Sequence, residues 1–299
     1  MDIYLPIAEV SVNWPFLVLL GAMVGFVSGL FGIGGGFLMA PILIFLGIPP
    51  AVAVASQASH VVASSTSGVI NYAGKKAIDF KIGSVMAVGG VLGALLGVEL
   101  FRYLRLLGQA DLAVALSYLL FLGAIGLMML YESLGAILRR VRGEVVPHKE
   151  RRRPLWLYGL PFKMKFPRSG LYISAIPPLV LGMLVGILSA IMGVGGGFIQ
   201  VPLMNVLMRV PVKAAAATSA FMIGVTVVSS TLLYYANGLV NPQVAVPAAF
   251  GVFLGSQTGS RLARRVRGRV LSRILIVILL YLATTILLQA FGIQVPGAR

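Results

Sequence analysis

A short glycine-rich sequence occurs twice in this chain, and both copies lie within hydrophobic sequence. The first copy is Gly32–Phe37 and the second is Gly193–Phe198; we call them box 1 and box 2. A glycine in a helix interior costs about 1 kcal/mol relative to alanine, and backbone groups that face lipid must stay hydrogen-bonded. Two helices broken at equivalent points of a hydrophobic chain therefore indicate a binding site at those points.

The composition places the chain in a membrane. Of its 299 residues, 59% are hydrophobic and 11% are charged, whereas soluble domains carry about 25% charged residues. Several apolar runs reach the roughly 20 residues that cross a bilayer. The first 13 residues contain no basic residue, so we expect no cleaved signal peptide. The pattern predicts an all-α integral membrane protein whose hydrophobic segments are 14–31, 37–48, 51–73, 82–104, 111–134, 171–192, 198–208, 213–236, 243–263 and 270–292.

The similarity between the two halves extends beyond the boxes, which indicates a structural repeat. An offset of 161 residues aligns the residues before and just after the boxes, and an offset of 162 aligns those that follow. Glycines spaced four residues apart occur in both halves, and such spacing favours close helix packing. The matched residues are Gly21, Gly25, Ser28, Pro41 and Pro50 with Gly182, Gly186, Ser189, Pro202 and Pro211, then Ala55, Ser67, Tyr72, Gly89, Gly93 and Gly97 with Ala217, Ser229, Tyr234, Gly251, Gly255 and Gly259.

The positive charges favour two inverted-topology repeats, each starting with a glycine-broken, hairpin-like segment. If the long basic stretch is cytoplasmic and each hairpin returns to its starting side, then 21 of the 24 lysines and arginines lie on the cytoplasmic side. The net charge of +16 then reflects topology and contact with anionic lipids rather than nucleic-acid binding. The predicted organisation is an external tail 1–13, repeat 1 at 14–134, a basic cytoplasmic loop 135–170, repeat 2 at 171–292 and an external tail 293–299.

The boxes are the first candidates for a binding site. Amides of a glycine-rich turn can point at an anion, and the helix that follows adds its positive end. We expect Pro41 and Pro202 in the first turn of those helices. The alternative is that the glycines only permit sharp turns. The candidate residues are Gly34, Gly35, Gly36 and Phe37 in box 1, and Gly195, Gly196, Gly197 and Phe198 in box 2.

Neutral polar side chains follow each box and suit an oxyanion. Ser56 and Gln57 follow box 1, and Thr218 and Ser219 follow box 2. Such side chains also join neighbouring helices, and for the hydroxyl residues further along the same helices that role is favoured. His60 is a weaker candidate for anion contact or proton relay, because repeat 2 has Met222 at the equivalent position.

The scarcity of other reactive groups argues against catalysis. Carboxylates are scarce in the apolar segments, and Glu99 and Glu132 both lie toward segment ends, which disfavours a cation pathway and paired-acid chemistry. The chain has no cysteine and no cluster of metal-ligating histidines. We therefore expect no enzyme activity, no cofactor and no metal.

The doubled box, with a proline four residues after each phenylalanine, resembles the TauE/SafE family of membrane permeases, also called sulfite exporters. The Thr218-Ser219 helix start and the paired Gly-xxx-Gly helices add to the resemblance, which covers roughly residues 15–290. It implies a secondary transporter of small sulfur-containing anions such as sulfite, thiosulfate or organosulfonates. Repeat 1 departs from repeat 2 at Gln57 and His60, which puts the identity of the anion in doubt.

The resulting hypothesis is a permease in the cell (inner) membrane that binds a small anion at the interface of the repeats and works by alternating access. An anion channel of the same architecture, or a permease for a different small organic anion, is the alternative. Protons are a candidate coupling ion, anionic lipids are expected partners of the basic face, and a homodimer is one candidate assembly. The basic stretch could instead be a docking segment.

Overall fold

The protein is predominantly helical. The computed structural model describes residues 2–5, 10–31, 39–45, 50–73, 78–141, 161–166, 169, 171–208, 210–238, 240 and 242–263. The helices are α1 Trp14–Phe31, α2 Met39–Phe45, α3 Pro50–Ala73, α4 Phe80–Leu106, α5 Ala110–Val141, α6 Ile176–Met192, α7 Gly197–Leu207, α8 Val212–Ala236 and α9 Pro242–Ala263. Two antiparallel hairpins pair β1 Asp2–Leu5 with β2 Val10–Asn13 and β3 Lys163–Phe166 with β4 Leu171–Ser174.

The outer surface of the helices is apolar. Within the described chain, Phe80–Leu106 and Ala214–Ala236 are by length and composition apolar enough to cross a membrane. Along α4, Leu92, Leu96 and Leu100 are exposed and recur every four residues, so they form one outward stripe. A stripe of exposed leucines on a helix of this length fits a surface that faces lipid.

The described helices follow the predicted hydrophobic segments, with three differences. The segment predicted at 171–192 begins with strand β4, and α6 starts only at Ile176. Helix α5 continues to Val141, beyond the end of its apolar run, because arginine is a good helix former and a cation suits a helix carboxyl end. The N-terminal residues contain a hairpin. Box 1 and the segment predicted at 270–292 lie outside the described residues.

Glycines bring two pairs of helices into direct backbone contact. In the α1–α9 pair, a Cβ on Gly25 would lie 2.3 Å from the carbonyl oxygen of Val252. In the α4–α6 pair, a Cβ on Gly186 would lie 2.3 Å from the carbonyl oxygen of Gly90. These distances leave no room for a side chain. Gly186 is the repeat-2 equivalent of Gly25, and Val252 is the repeat-2 equivalent of Gly90, so the two pairs contain the same contact with the repeats exchanged.

Helices α3 and α8 cross at the centre of the molecule. A Cβ on Gly68 of α3 would lie 3.3 Å from the Cβ of Ala220, and one on Gly224 of α8 would lie 3.3 Å from Ser65 Oγ. As the sequence of α3 advances from Ser65 to Gly68, its partners on α8 move back from Gly224 to Ala220. The two helices therefore run in opposite directions where they touch; α3 also packs against α9, and α8 also packs against α4.

Candidate functional site

Box 2 breaks the chain between α6 and α7. Helix α6 ends at Met192 and α7 begins at Gly197. Gly193, Gly195 and Gly196 have φ angles of 70°, 75° and 74°, in the left-handed region that side chains other than glycine rarely adopt. The Gly193 amide donates to the carbonyl oxygen of Ser189 at 2.7 Å and so closes the end of α6. The backbone conformation explains why these positions are glycine.

Box 2 also lies tightly against both central helices. A Cβ on Gly193 would lie 2.5 Å from the Val54 carbonyl oxygen on α3. A Cβ on Gly195 would lie 2.5 Å from Val61 Cγ1 on α3 and 2.8 Å from Ile223 Cγ2 on α8. The glycines are therefore needed for the turn and for packing, as the alternative interpretation holds, and the Gly193 amide is already used to close the end of α6.

The α3 residues predicted to bind an anion lie beside box 2. Gln57 Nε2 donates to the carbonyl oxygen of Gly193 at 3.2 Å. Ser56, Gln57 and His60 are all buried, and His60 precedes Val61, which contacts Gly195. Ser56 Oγ has no hydrogen-bond partner among the described residues. A buried hydroxyl without a partner is costly in a bare protein and is explained by a ligand or a water molecule.

The two predicted residues on α8 are buried and point to different neighbours. Ser219 Oγ donates to Gln200 Oε1 at 3.2 Å and so joins α8 to the first turn of α7. Thr218 Oγ1 accepts a hydrogen bond from the Asp79 amide at 3.0 Å, at the start of α4. Gln57 and Ser219 therefore both contact the box 2–α7 segment, whereas Thr218 is connected to the beginning of α4.

Helix α7 presents an open amino end. The first amides of a helix have no acceptor within that helix, and no described side chain caps this one. Pro202 is the sixth residue of α7, so the prediction that it occupies the first turn was wrong. For Pro41 the prediction stays open, because the residues just before Met39 in α2 lie outside the described residues. Because proline lacks an N–H, the Phe198 carbonyl loses its usual helical partner.

Two buried polar residues at this place were missed from the sequence. Gln200 is a fully buried amide, visible in the sequence as a polar residue within the apolar segment after box 2. Asp79 is a buried carboxylate whose Oδ2 accepts hydrogen bonds from the Ser169 amide at 2.9 Å and from Ser169 Oγ at 2.8 Å. An aspartate immediately before an apolar run is a typical helix N-cap, and Asp79 does cap α4.

The chemistry of the site is that of neutral hydrogen-bond donors. Hydroxyls, side-chain amides and the amino end of a helix can hold an anion without a metal. Among the described residues, no three histidines or carboxylates are grouped as a metal site would require. The predicted residues of box 1, Gly34 to Phe37, lie outside the described residues, and so does the Phe198 side chain.

Comparison with known proteins gives a family match over most of the chain. Residues 17–286 match the family model described as "Sulfite exporter TauE/SafE". The chain is 24% identical over 253 residues to the probable membrane transporter protein YunE of Bacillus subtilis, covering 82% of this chain and 86% of the relative. It is 29% identical over 238 residues to a probable membrane transporter protein of Xylella fastidiosa, covering 79% of each.

A plant protein shares a shorter region. The sulfite exporter TauE/SafE family protein 3 of Arabidopsis thaliana is 32% identical over 109 residues, which is 36% of this chain and 23% of that protein. No solved structure gives a significant match.

Proposed function

The chain belongs to the sulfite exporter TauE/SafE family of membrane transporters, and we propose that it is a secondary transporter of small sulfur-containing anions such as sulfite, thiosulfate or organosulfonates. The relatives named above are called membrane transporters rather than enzymes, so the function to be explained is the passage of a solute across a membrane. The sulfur-containing anion is taken from the family description, and the hydrogen-bond donors described above support an oxyanion.

The contact between box 2 and α3 carries this proposal. The uncapped amino end of α7 provides amides and the positive end of a helix dipole. Gln57 fixes α3 against the start of box 2, and the neighbouring Ser56 hydroxyl has no partner within the described chain. Ser219 and Gln200 extend the same group of polar side chains to α8. A tetrahedral or pyramidal oxyanion accepts several hydrogen bonds at once. The donors proposed for it are the first amides of α7 and the Ser56 hydroxyl, because the Ser219 proton already goes to Gln200.

The proposal includes two inverted repeats, because the helix contacts support that arrangement. Helices α3 and α8 occupy equivalent places in the repeats and cross in opposite directions. A two-fold axis that exchanges these two helices passes through their crossing and is perpendicular to them. When the helices span the bilayer, this axis therefore lies in the plane of the membrane. The α1–α9 and α4–α6 pairs exchange under the same operation. The distribution of lysine and arginine favours the same arrangement independently.

Alternating access then follows from the arrangement of the packed units. In the proposed topology the basic stretch 135–170 faces the cytoplasm, and both terminal tails lie outside the cell (inner) membrane. Movement of the helices of one repeat against those of the other would expose the box 2–α3 contact to one side at a time. The tight fit of Gly195 between Val61 and Ile223 fits a closed position of this contact.

Reconstituted protein tests the proposal directly. Liposomes containing the purified protein and unlabelled sulfite or thiosulfate should accumulate the labelled anion by counterflow with the membrane potential held at zero by equal K⁺ and valinomycin, a condition under which a channel does not concentrate the label. Ser56→Ala should lower the rate by roughly 10-fold, since a hydrogen bond to a charged group contributes about 1.5–3 kcal/mol. Ser84→Ala is the matched control, because Ser84 is exposed and donates only to its own helix.

The outcomes separate the candidate functions. Counterflow of the anion that falls in Ser56→Ala and persists in Ser84→Ala supports a carrier whose site includes α3. Flux that dissipates gradients without counterflow would indicate a channel. Counterflow of carboxylates with none of the sulfur-containing anions would replace the proposed substrate class.

A further inference from the structure

A small polar cavity lies away from box 2, between α1, α3 and α9. Its volume is about 30 Å³, and one water molecule needs roughly 10–15 Å³ by this measure. Among the residues that the structure describes, the lining is rich in hydroxyl groups and has no charged side chain; it includes Ser28, Ser65, Ser67, Asn71, Ser256 and Ser260. A space of this size holds one small ion or about two water molecules.

The hydrogen bonds of the lining leave oxygen atoms as acceptors. Ser65 Oγ donates to the Val62 carbonyl at 3.0 Å, and Ser256 Oγ donates to the Phe253 carbonyl at 3.1 Å. Each hydroxyl has one proton, so a hydroxyl that donates to its own backbone offers only lone pairs to a ligand. These two oxygens are therefore suited to a ligand that is positively charged.

Ser67 points to a ligand independently. Its side chain lines the cavity and is only 1% exposed. Its Oγ has no hydrogen-bond partner among the residues that the structure describes. Buried hydroxyls are almost always hydrogen-bonded, so this atom marks the cavity as a place that something occupies.

The surrounding helices make the cavity favourable for a cation. The polar residues of the lining lie in the carboxyl-terminal halves of α1, α3 and α9, and Ala220 of α8 completes the lining. Asn71 Nδ2 joins α3 to α9 by a 2.8 Å hydrogen bond to Ser260 Oγ. The carboxyl ends of helices carry partial negative charge. Arg261 follows Ser260 but is exposed and does not line the cavity.

We propose that this cavity binds a small monovalent cation, tested as Na⁺, and that this cation drives the anion transport proposed above. The inference rests on the proposed function for its role in coupling, but the binding itself does not. Hard cations prefer oxygen ligands and do not need the nitrogen or sulfur ligands that bind transition metals. A proton relay through His60 is the competing source of coupling energy.

Binding is tested on the purified full chain in detergent, with NaCl replaced by choline chloride at constant ionic strength. Saturating Na⁺ should raise the Tm of the wild-type protein by roughly 5 °C. Ser256→Ala and Ser67→Ala should each abolish most of that rise. Ser229→Ala is the matched control, since Ser229 is the repeat-2 equivalent of Ser67 and donates to the Val225 carbonyl. The absence of any Na⁺-specific rise in the wild-type protein would overturn the proposal, whatever the variants do.

Coupling is tested in liposomes with an imposed Na⁺ gradient or an imposed pH gradient. Concentrative anion uptake should follow the Na⁺ gradient and be lost in Ser256→Ala. Uptake that follows the pH gradient alone would overturn the coupling role. Anion counterflow without any effect of Na⁺ would leave the transport function standing and reject this inference. Na⁺ stabilisation without transport of any anion would reject the transport function and retain the cation site.

Discussion

Two regions that correspond under the repeat differ sharply in chemistry. The cavity between α1, α3 and α9 is lined by Asn71, Ser256 and Ser260. At the equivalent positions between α6, α8 and α4, the chain has Leu233, Ala94 and Val98. There, Tyr234 is fully buried and its hydroxyl donates to the Ala190 carbonyl. One region encloses a small cavity lined by hydroxyl and amide groups; the other has apolar residues at these three positions and keeps the buried hydroxyls of Ser189 and Thr226.

The helix pairs beside these regions do not differ in the same way. Gly93 in α4 and Gly255 in α9 both abut a backbone carbonyl, of Met183 and Ala22 respectively, at equivalent positions. The two repeats therefore share their backbone contacts and have different polar side chains. Shared contacts define a common architecture, and the unmatched polar residues define what each side of the molecule can bind.

The shared contacts should show the largest effect on mutation. A Cβ on Gly93 would lie 2.1 Å from the Met183 carbonyl oxygen, so Gly93→Ala should lower the free energy of unfolding by about 3 kcal/mol. Gly255→Ala, with a Cβ 2.0 Å from the Ala22 carbonyl oxygen, should be equally harmful. The Tm of each variant in detergent, or its yield after insertion, is the measurement.

The control for this pair is Gly123 in α5, where an added Cβ meets nothing within 4 Å. Gly123→Ala should stabilise the helix by up to about 1 kcal/mol. A large loss in Gly93→Ala together with a tolerated Gly255→Ala would break the claim that the two helix pairs are equivalent.

Mutation of box 2, at the centre between the two regions, should have a smaller effect on the Tm and a specific effect on transport. Gly195 and Gly108 have φ angles of 75° and 70°, so an alanine suffers similar backbone strain, about 1–2 kcal/mol, at either position. Only Gly195 also contacts Val61 and Ile223. Gly195→Ala should therefore lower the Tm more than Gly108→Ala and should stop anion counterflow. Equal losses in the two variants would mean that the packing of box 2 has no part in transport.

The smallest effect on stability is expected when the cavity between α1, α3 and α9 is mutated to resemble the equivalent region between α4, α6 and α8. Asn71→Leu introduces the residue of repeat 2 and removes the 2.8 Å hydrogen bond to Ser260, at a cost of about 1 kcal/mol. Its Tm should become insensitive to Na⁺. The control is Tyr235→Phe, which alters an exposed residue on the equivalent part of α8 and should leave the Tm at the wild-type value. An Asn71→Leu protein that keeps its response to Na⁺ would show that the chemical difference between the regions has no consequence for the cation.

Much of this account was accessible from the sequence because it depends on local patterns. Apolar runs mark helices wherever lipid or protein covers them, and a fixed offset aligns the glycines that later appear as paired contacts. The pairing of distant residues was not accessible. Gln57 and Gly193 are 136 positions apart, and Asp79 and Ser169 are 90 apart, so no local pattern joins them. The strands of the hairpins have only four residues each, which is too short for an alternation of polar and apolar residues to be recognised.

The candidate site was predicted in part for the same reason. Ser56, Gln57 and Ser219 were found because polar residues stand out in apolar segments, and the structure places Gln57 and Ser219 at the box 2–α7 segment. Gln200 carried the same signal and was missed. Thr218 stays a prediction as an anion contact; the structure shows its hydroxyl bonded to the Asp79 amide at the start of α4, a contact across 139 positions that no local pattern could indicate.

Inversion of the repeats is the central claim, and cysteine labelling tests it most directly, because the chain has no native cysteine. Lys81 and Gln243 are equivalent positions in the two repeats, and Arg261 lies near the end of α9. Single cysteines at these positions would be exposed to a membrane-impermeant thiol reagent in right-side-out and inverted vesicles. Inverted repeats predict that 81 and 261 react from one side of the membrane and 243 from the other; reaction of 81 and 243 from the same side would contradict the account.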